Sequence, residues 1–177
     1  MTQISLKKLE SYSTPTGLQA ENALLDSQEY PAKKYQTALI IGRFQPLHRG
    51  HIYLLHCALR YASSLIICIG SSNVQNLDNP FTIQTREDLL KRAIAREGLL
   101  PKVHQIFSLP DSPDDSVWLA TAIQKAGVFD LVIGNNEWVN QLFGDAGYNV
   151  QKIPLFERST YEGKIIREKL RKEGALR

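Results

Sequence analysis

From residue 35 onward the chain alternates between short apolar runs and longer segments whose apolar residues recur every three or four positions. The clearest runs are Ala38-Leu39-Ile40-Ile41 and Leu65-Ile66-Ile67-Cys68-Ile69. Continuous, partly β-branched runs of this length read as strands buried on both faces. Strands are expected at 36–42, 64–70, 103–107, 129–133 and 148–152, and amphipathic helices at 49–61, 83–97, 114–126, 136–146 and 162–173. Such alternation predicts βαβ units, hence an α/β fold on a doubly wound parallel sheet of about five strands. Crossovers in such a sheet are right-handed, and ligands bind beyond the carboxyl ends of its strands. The loops that follow the strands are therefore the informative positions.

Residues 1–34 break the pattern. They are polar, with Ser11, Ser13, Thr14, Pro15 and Gly17 clustered early, and Leu18 to Leu25 has the spacing of a short helix. The segment reads either as a flexible or loosely docked extension, or as an arm packed on a neighbouring subunit. The expected division is an N-terminal extension at 1–34 and one domain at 35–177.

Composition narrows the class. With 177 residues, 43% of them hydrophobic, the chain can build one domain around its own core. The net charge of +3 accords with a polyanionic small substrate and equally with mere solubility. There is no long Lys/Arg cluster and no zinc-finger spacing, so no nucleic-acid groove is expected. Cys57 and Cys68 each lie in apolar surroundings and read as core thiols in a reducing compartment, which makes the cytoplasm the expected location. No apolar span of 18 residues exists and the N-terminus lacks an apolar h-region, so neither a membrane anchor nor a signal peptide is expected.

The chemistry concentrates after the first strand, in Gly42-Arg43-Phe44-Gln45-Pro46-Leu47-His48-Arg49-Gly50-His51. A helix starting near Leu47 or His48 turns its first N–H groups and its positive dipole end toward whatever lies above the strand, which favours phosphate. His48 and His51 are three residues apart and share one helical face. Gly50 allows close approach to the backbone, and Arg43 adds a fork of charged donors suited to phosphate oxygens. This is a polyphosphate site built without a Walker loop or a Gly-x-Gly-x-x-Gly turn, neither of which occurs in the chain. Elsewhere Thr82 reads as an N-cap, and Asp114 and Asp115 read as acids at a helix start instead of metal ligands.

His48-Arg49-Gly50-His51 resembles the His-x-Gly-His signature of the nucleotidyltransferase superfamily, and the longer Gly42–His51 stretch resembles its archaeal-type nicotinamide-nucleotide adenylyltransferase branch. Later loops continue the likeness: Gly70-Ser71 with Asn79-Pro80-Phe81-Thr82, Asp111 with Trp118, Gly134-Asn135-Asn136, and Pro154-Leu155-Phe156 with Tyr161, Gly163 and Arg167. The match covers roughly residues 37–170. It implies a Rossmann-like three-layer fold and transfer of AMP from ATP to nicotinamide mononucleotide (NMN), or to nicotinic acid mononucleotide, giving NAD and pyrophosphate with Mg2+ as cofactor. The resemblance implies catalytic roles for His48, His51, Arg43 and Arg167. It places ATP against Gly42, Arg43, Phe44, Gln45, His48, Gly50 and His51, and against Gly134, Tyr161, Gly163, Lys164 and Arg167. It places NMN against Ser71, Asn79, Asp111, Trp118, Asn135 and Asn136, with no dedicated protein metal ligand, and it implies a homo-oligomer. Arg86 matches a family arginine that either holds its loop or touches substrate. Glu162 and Lys164 depart from the family, standing where Ser and Thr are usual. The rival readings are another transferase of the superfamily, acting on phosphopantetheine or with CTP, and a nucleotide-binding sensor without catalysis.

Overall fold

The computed structural model describes residues 4–14, 29–31 and 34–176. Five strands form one sheet: β1 (Tyr35–Gly42), β2 (Ala62–Ile69), β3 (Val103–Ser108), β4 (Leu131–Ile133) and β5 (Asn149–Gln151). All neighbours pair in parallel, in the order β3-β2-β1-β4-β5. The chain therefore winds outward from β1 to β3, then crosses back to start the other half at β4. The reversal leaves a crevice between β1 and β4, where open α/β sheets bind their ligands.

The helices are α1 (Leu6–Glu10), α2 (Arg49–Tyr61), α3 (Ile83–Arg96), α4 (Asp115–Ala126), α5 (Glu137–Asp145), α6 (Arg158–Tyr161) and α7 (Gly163–Lys172). Side chains alternate across the central strand, so Ala38 and Ile40 join one core and Leu39 the other. The first core carries Ile52 and Leu55 of α2, Leu89 and Ala93 of α3, and Ile166 and Leu170 of α7. The second carries Trp118 and Ala122 of α4, and Val139 and Phe143 of α5. The expected three-layer, doubly wound parallel sheet is the one found.

Differences from the sequence reading are local. β2 begins at Ala62 instead of 64, because Tyr35 pairs it from the start of β1. β4 is only Leu131–Ile133; Phe129 is buried ahead of it without joining the ladder. The helix expected at 162–173 is preceded by the one-turn α6, separated by the extended Glu162. Helix α1 escaped the sequence reading, since five residues are too few to show a period. Its Leu9 is 1% exposed and sits in the first core. The short helix expected at Leu18 to Leu25 lies outside the described residues. Among the described residues no helix is long and apolar enough to cross a membrane.

Candidate active site

The His motif of the phosphate site starts at a strand end, whereas Tyr161, Gly163, Lys164 and Arg167 come from α6, α7 and their junction. β1 stops at Gly42, and Phe44 takes a left-handed conformation, with φ of 51°. That strain is held from three sides. The Phe44 ring is buried, and a Cβ on Gly42 would lie 3.0 Å from it, so only glycine fits beneath. Arg86, 1% exposed, donates to the carbonyls of Arg43 (3.0 Å), Gly70 (2.7 Å) and Ser71 (3.2 Å), clipping the ends of β1 and β2 together. The Gln45 side chain pairs with both backbone groups of Phe81, each at 3.0 Å. Of the two roles open to Arg86, the structure displays the loop-holding one.

Helix α2 begins with His48 as its N-cap. The two imidazoles stack with centroids 3.8 Å apart, and Phe44 lies 4.8 Å from His51. The His48 N–H donates to Nδ1 of His51 at 3.3 Å. In neutral His51 the proton is then on Nε2, which leaves that atom as a donor. Burial drives the His48 pKa down to about 4, with the Glu162 charge pulling the other way. Burial, then the neighbouring His48, holds His51 well below the ordinary value. Both rings are thus neutral near pH 7, each with one N–H to donate.

The α2 amides correct the expectation of a helix-end phosphate cradle, leaving one donor where the first turn's N–H groups were expected. Arg49 N–H donates to Tyr12 O at 2.9 Å, and His51 and Ile52 N–H both go to His48 O. The Gly50 N–H has no acceptor among the described residues. A Cβ at Gly50 would come within 3.1 Å of the His48 ring.

Two adjoining cavities open here. The larger, about 430 Å³, lies over the β1–β4 crevice between Gly42, Tyr53, Gly134, Asn135, Leu155 and Phe156. That volume falls within the usual range of small-molecule sites. The smaller, about 170 Å³, carries the cations Arg43, Lys164 and Arg167. His48, His51, Glu162 and Gly163 stand on the walls of both. Arg167 is 6% exposed; it donates to Gln45 O at 2.8 Å, pairs with Asp78 at 3.5 Å, and keeps a buried Nε without a partner. His48 Nδ1 is likewise buried and unpartnered. Gly163 admits this arrangement, since a Cβ there would meet Gln45 O at 3.1 Å and the Arg167 guanidinium at 3.2 Å.

The residues assigned to the second nucleotide divide. Asn135 and Asn136 line the larger cavity, alongside Gly134 and Tyr161. Each spends its side-chain oxygen locally, on Ile153 N–H and Val139 N–H respectively. Ser71, Asn79, Asp111 and Trp118 line neither cavity. Ser71 donates to Asp111 at 3.0 Å, while Asn79 meets Arg43 at 3.5 Å. Trp118 is 3% exposed, with Trp138 of α5 against it at 4.7 Å and Phe143 at 6.4 Å. Trp138, 42% exposed and tied to Asp115 at 3.2 Å, carries the accessible indole face there. The sequence reading passed over it, because an aromatic in a first helical turn carries no distinctive spacing. Asp114 caps α4 through Ser116 and Val117 N–H, as read, and Thr82 caps α3 through Thr85 N–H.

A family described as cytidylyltransferase-like matches residues 39–169. Nicotinamide-nucleotide adenylyltransferase of Thermococcus kodakarensis is 35% identical over 133 residues, which is 75% of this chain and 71% of that one. The enzyme of the same name from Thermoplasma volcanium is 37% identical over 138 residues, 77% and 76% of the two chains. Among solved structures, a bifunctional NMN adenylyltransferase/ADP ribose pyrophosphatase from Francisella tularensis, complexed with AMP and a manganese ion, superposes with a TM-score of 0.65 at 25% identity. That match covers 77% of this chain, which spans only 41% of the larger protein. Motif, topology and relatives agree: the chain belongs to the cytidylyltransferase-like family and, within it, to the nicotinamide-nucleotide adenylyltransferases.

Proposed function

We propose that this chain transfers the adenylyl group of ATP to NMN, forming NAD and pyrophosphate. The observation that carries the proposal is the cation-lined cavity walled by neutral His48 and His51 at the β1–β4 switch point. The 5′-phosphate of NMN attacks the α-phosphorus of ATP, a new P–O bond forms, and the bond to the β-phosphate oxygen breaks in line. The nucleophile is already an anion, so no general base is required. The protein contributes placement and neutralisation of the charge that builds on the phosphates.

On this reading the larger cavity takes the adenosine, with Gly134 and Tyr161 on its wall. His51 donates through Nε2 to the α-phosphate region, and Gly50 N–H stands beside it. Arg43, Lys164 and Arg167 hold the β- and γ-phosphates. NMN approaches from the side of Ser71, Asn79 and Asp111, with its ring toward the Trp118–Trp138 pair and Asn136 nearby. No group of three His, Cys, Asp or Glu side chains assembles among the described residues. The donor set therefore suits a magnesium ion carried by the phosphates of ATP, with Glu162, the carboxylate on the cavity walls, as its protein partner. When bound, that ion screens triphosphate charge. A cytoplasmic setting and a homo-oligomer remain part of the proposal.

The test is pyrophosphate release from ATP and Mg2+ with NMN, nicotinic acid mononucleotide, phosphopantetheine or no acceptor. Release with NMN, lost in His51→Ala, supports the reading. Release with phosphopantetheine alone moves the assignment to another branch. ATP binding without any release moves it to a sensor.

A further inference from the structure

The segment before β1 reaches the phosphate site from behind. Tyr12 O accepts the Arg49 N–H, the first amide of α2 and the residue next to His48, at 2.9 Å. The same short segment is pinned to α3, where Arg96 donates to Ser13 O at 2.8 Å and Arg92 meets Glu10 at 3.3 Å. It is also pinned to α7 and its end, where Lys8 pairs with Glu173 at 2.7 Å and Lys169 lies 5.9 Å over the Tyr12 ring. Leu9 anchors it in the core that α2, α3 and α7 share. Helix α2 bears His51, and α7 bears Arg167. This segment thus touches both helices whose side chains meet at the smaller cavity, yet it lies outside the family match at 39–169.

We propose that residues 5–14 form a strut that sets the distance between α2 and α7, with Tyr12 and Leu9 as positioning residues for the ATP half of the reaction. This rests on the adenylyl-transfer reading. The physical warrant is that one helix carries the neutral donors and the other the guanidinium, so a shift between them of about 1 Å misaligns the phosphorus and can cost roughly 10²-fold. Single exposed ion pairs would do little to hold such spacing. The Tyr12–Arg49 backbone bond and the buried Leu9 are different, because both are shielded and have one geometry. Among the described residues no hydrogen bond, ion pair or ring contact joins the strut to Ser71, Asp111, Trp118 or Asn136, so on this reading it acts on one substrate only.

The test uses the full chain carrying Tyr12→Ala, which keeps the carbonyl but removes the ring that lies under Lys169 of α7, Leu9→Ala, or both, with steady-state kinetics at 25 °C and thermal melting in parallel. The expected result is a kcat reduced, or a KM for ATP raised, by about tenfold or more, with the KM for NMN unchanged. A lowered Tm with kcat and both KM values intact overturns the proposal and leaves the segment a stabilising appendage. Equal rises in both KM values also overturn it. Leu9→Met, which keeps the volume, restores the wild-type ATP parameters. If wild type releases no pyrophosphate with any acceptor, the activity reading fails by itself. ATP affinity measured by calorimetry then tests the strut: unchanged affinity in the double variant rejects it.

Discussion

At the scale of single residues, the two histidines carry the proposed chemistry. Each is neutral because burial opposes its charged form, so each donates one N–H without competing for a proton. Loss of one preorganised donor commonly costs about 10²–10³ in kcat. His51→Ala is expected to fall in that range with ATP binding retained, and an unchanged kcat would remove His51 from the assignment. The lowered pKa values also tie stability to acid. The unfolded chain takes up these protons near 6.5, whereas folded His48 resists down to about 4. Stability is therefore complete above pH 6.5 and declines as pH falls from there toward 4. Melting temperatures between pH 8 and 4.5 check this, and His48→Gln flattens the decline. Glu162 adds a third residue-scale expectation. As the proposed partner of the magnesium it sets the metal requirement, so Glu162→Ser should raise the Mg2+ concentration needed for half-maximal rate, as titration of the metal at fixed ATP would reveal.

Among elements, the decisive contacts join the ends of strands to helices that come much later. Arg86 of α3 secures three carbonyls of the β1 and β2 termini. Replacing it with Leu leaves those acceptors buried and unmatched, at a cost of about 3 kcal/mol or more. For a chain of this size that lowers Tm by roughly 6–12 °C in a melting experiment. Gly163→Ala tests the start of α7. Its new methyl would press between Gln45 O and Arg167, so the expected outcome is a raised KM for ATP with the KM for NMN unaffected. The strand–helix alternation and the His motif were legible from the chain because they rest on local period and on spacing within ten residues. Arg86, Trp138 and Tyr12 show why the rest was not. Arg86 acts through carbonyls that any residue type supplies. Trp138 matters only because α4 and α5 bring it onto Trp118. Tyr12 contributes a backbone oxygen to an amide 37 positions away, which leaves no trace in residue type.

For the molecule as a whole, the reversal of strand order between β3 and β4 opens the crevice over which the proposed reading places the ATP. Binding there couples to the whole fold. ATP at 100 times its Kd should stabilise the protein by about 2.7 kcal/mol, and Arg167→Ala should abolish most of the corresponding rise in Tm. The arrangement of backbone carbonyls around that crevice has one more consequence. The oxygen of Gly42 is taken by Gly70 N–H, and those of Arg43, Gly70 and Ser71 by Arg86. Gln45 O goes to Arg167 and Gly134 O to Asn140. The rim has thus spent these carbonyls inward, and its charge comes from side chains. Arg43, Lys164 and Arg167 stand against the single carboxylate of Glu162 on the smaller cavity. A polyanion meets a net positive wall there, whereas a cation arriving alone meets three like charges and one acid.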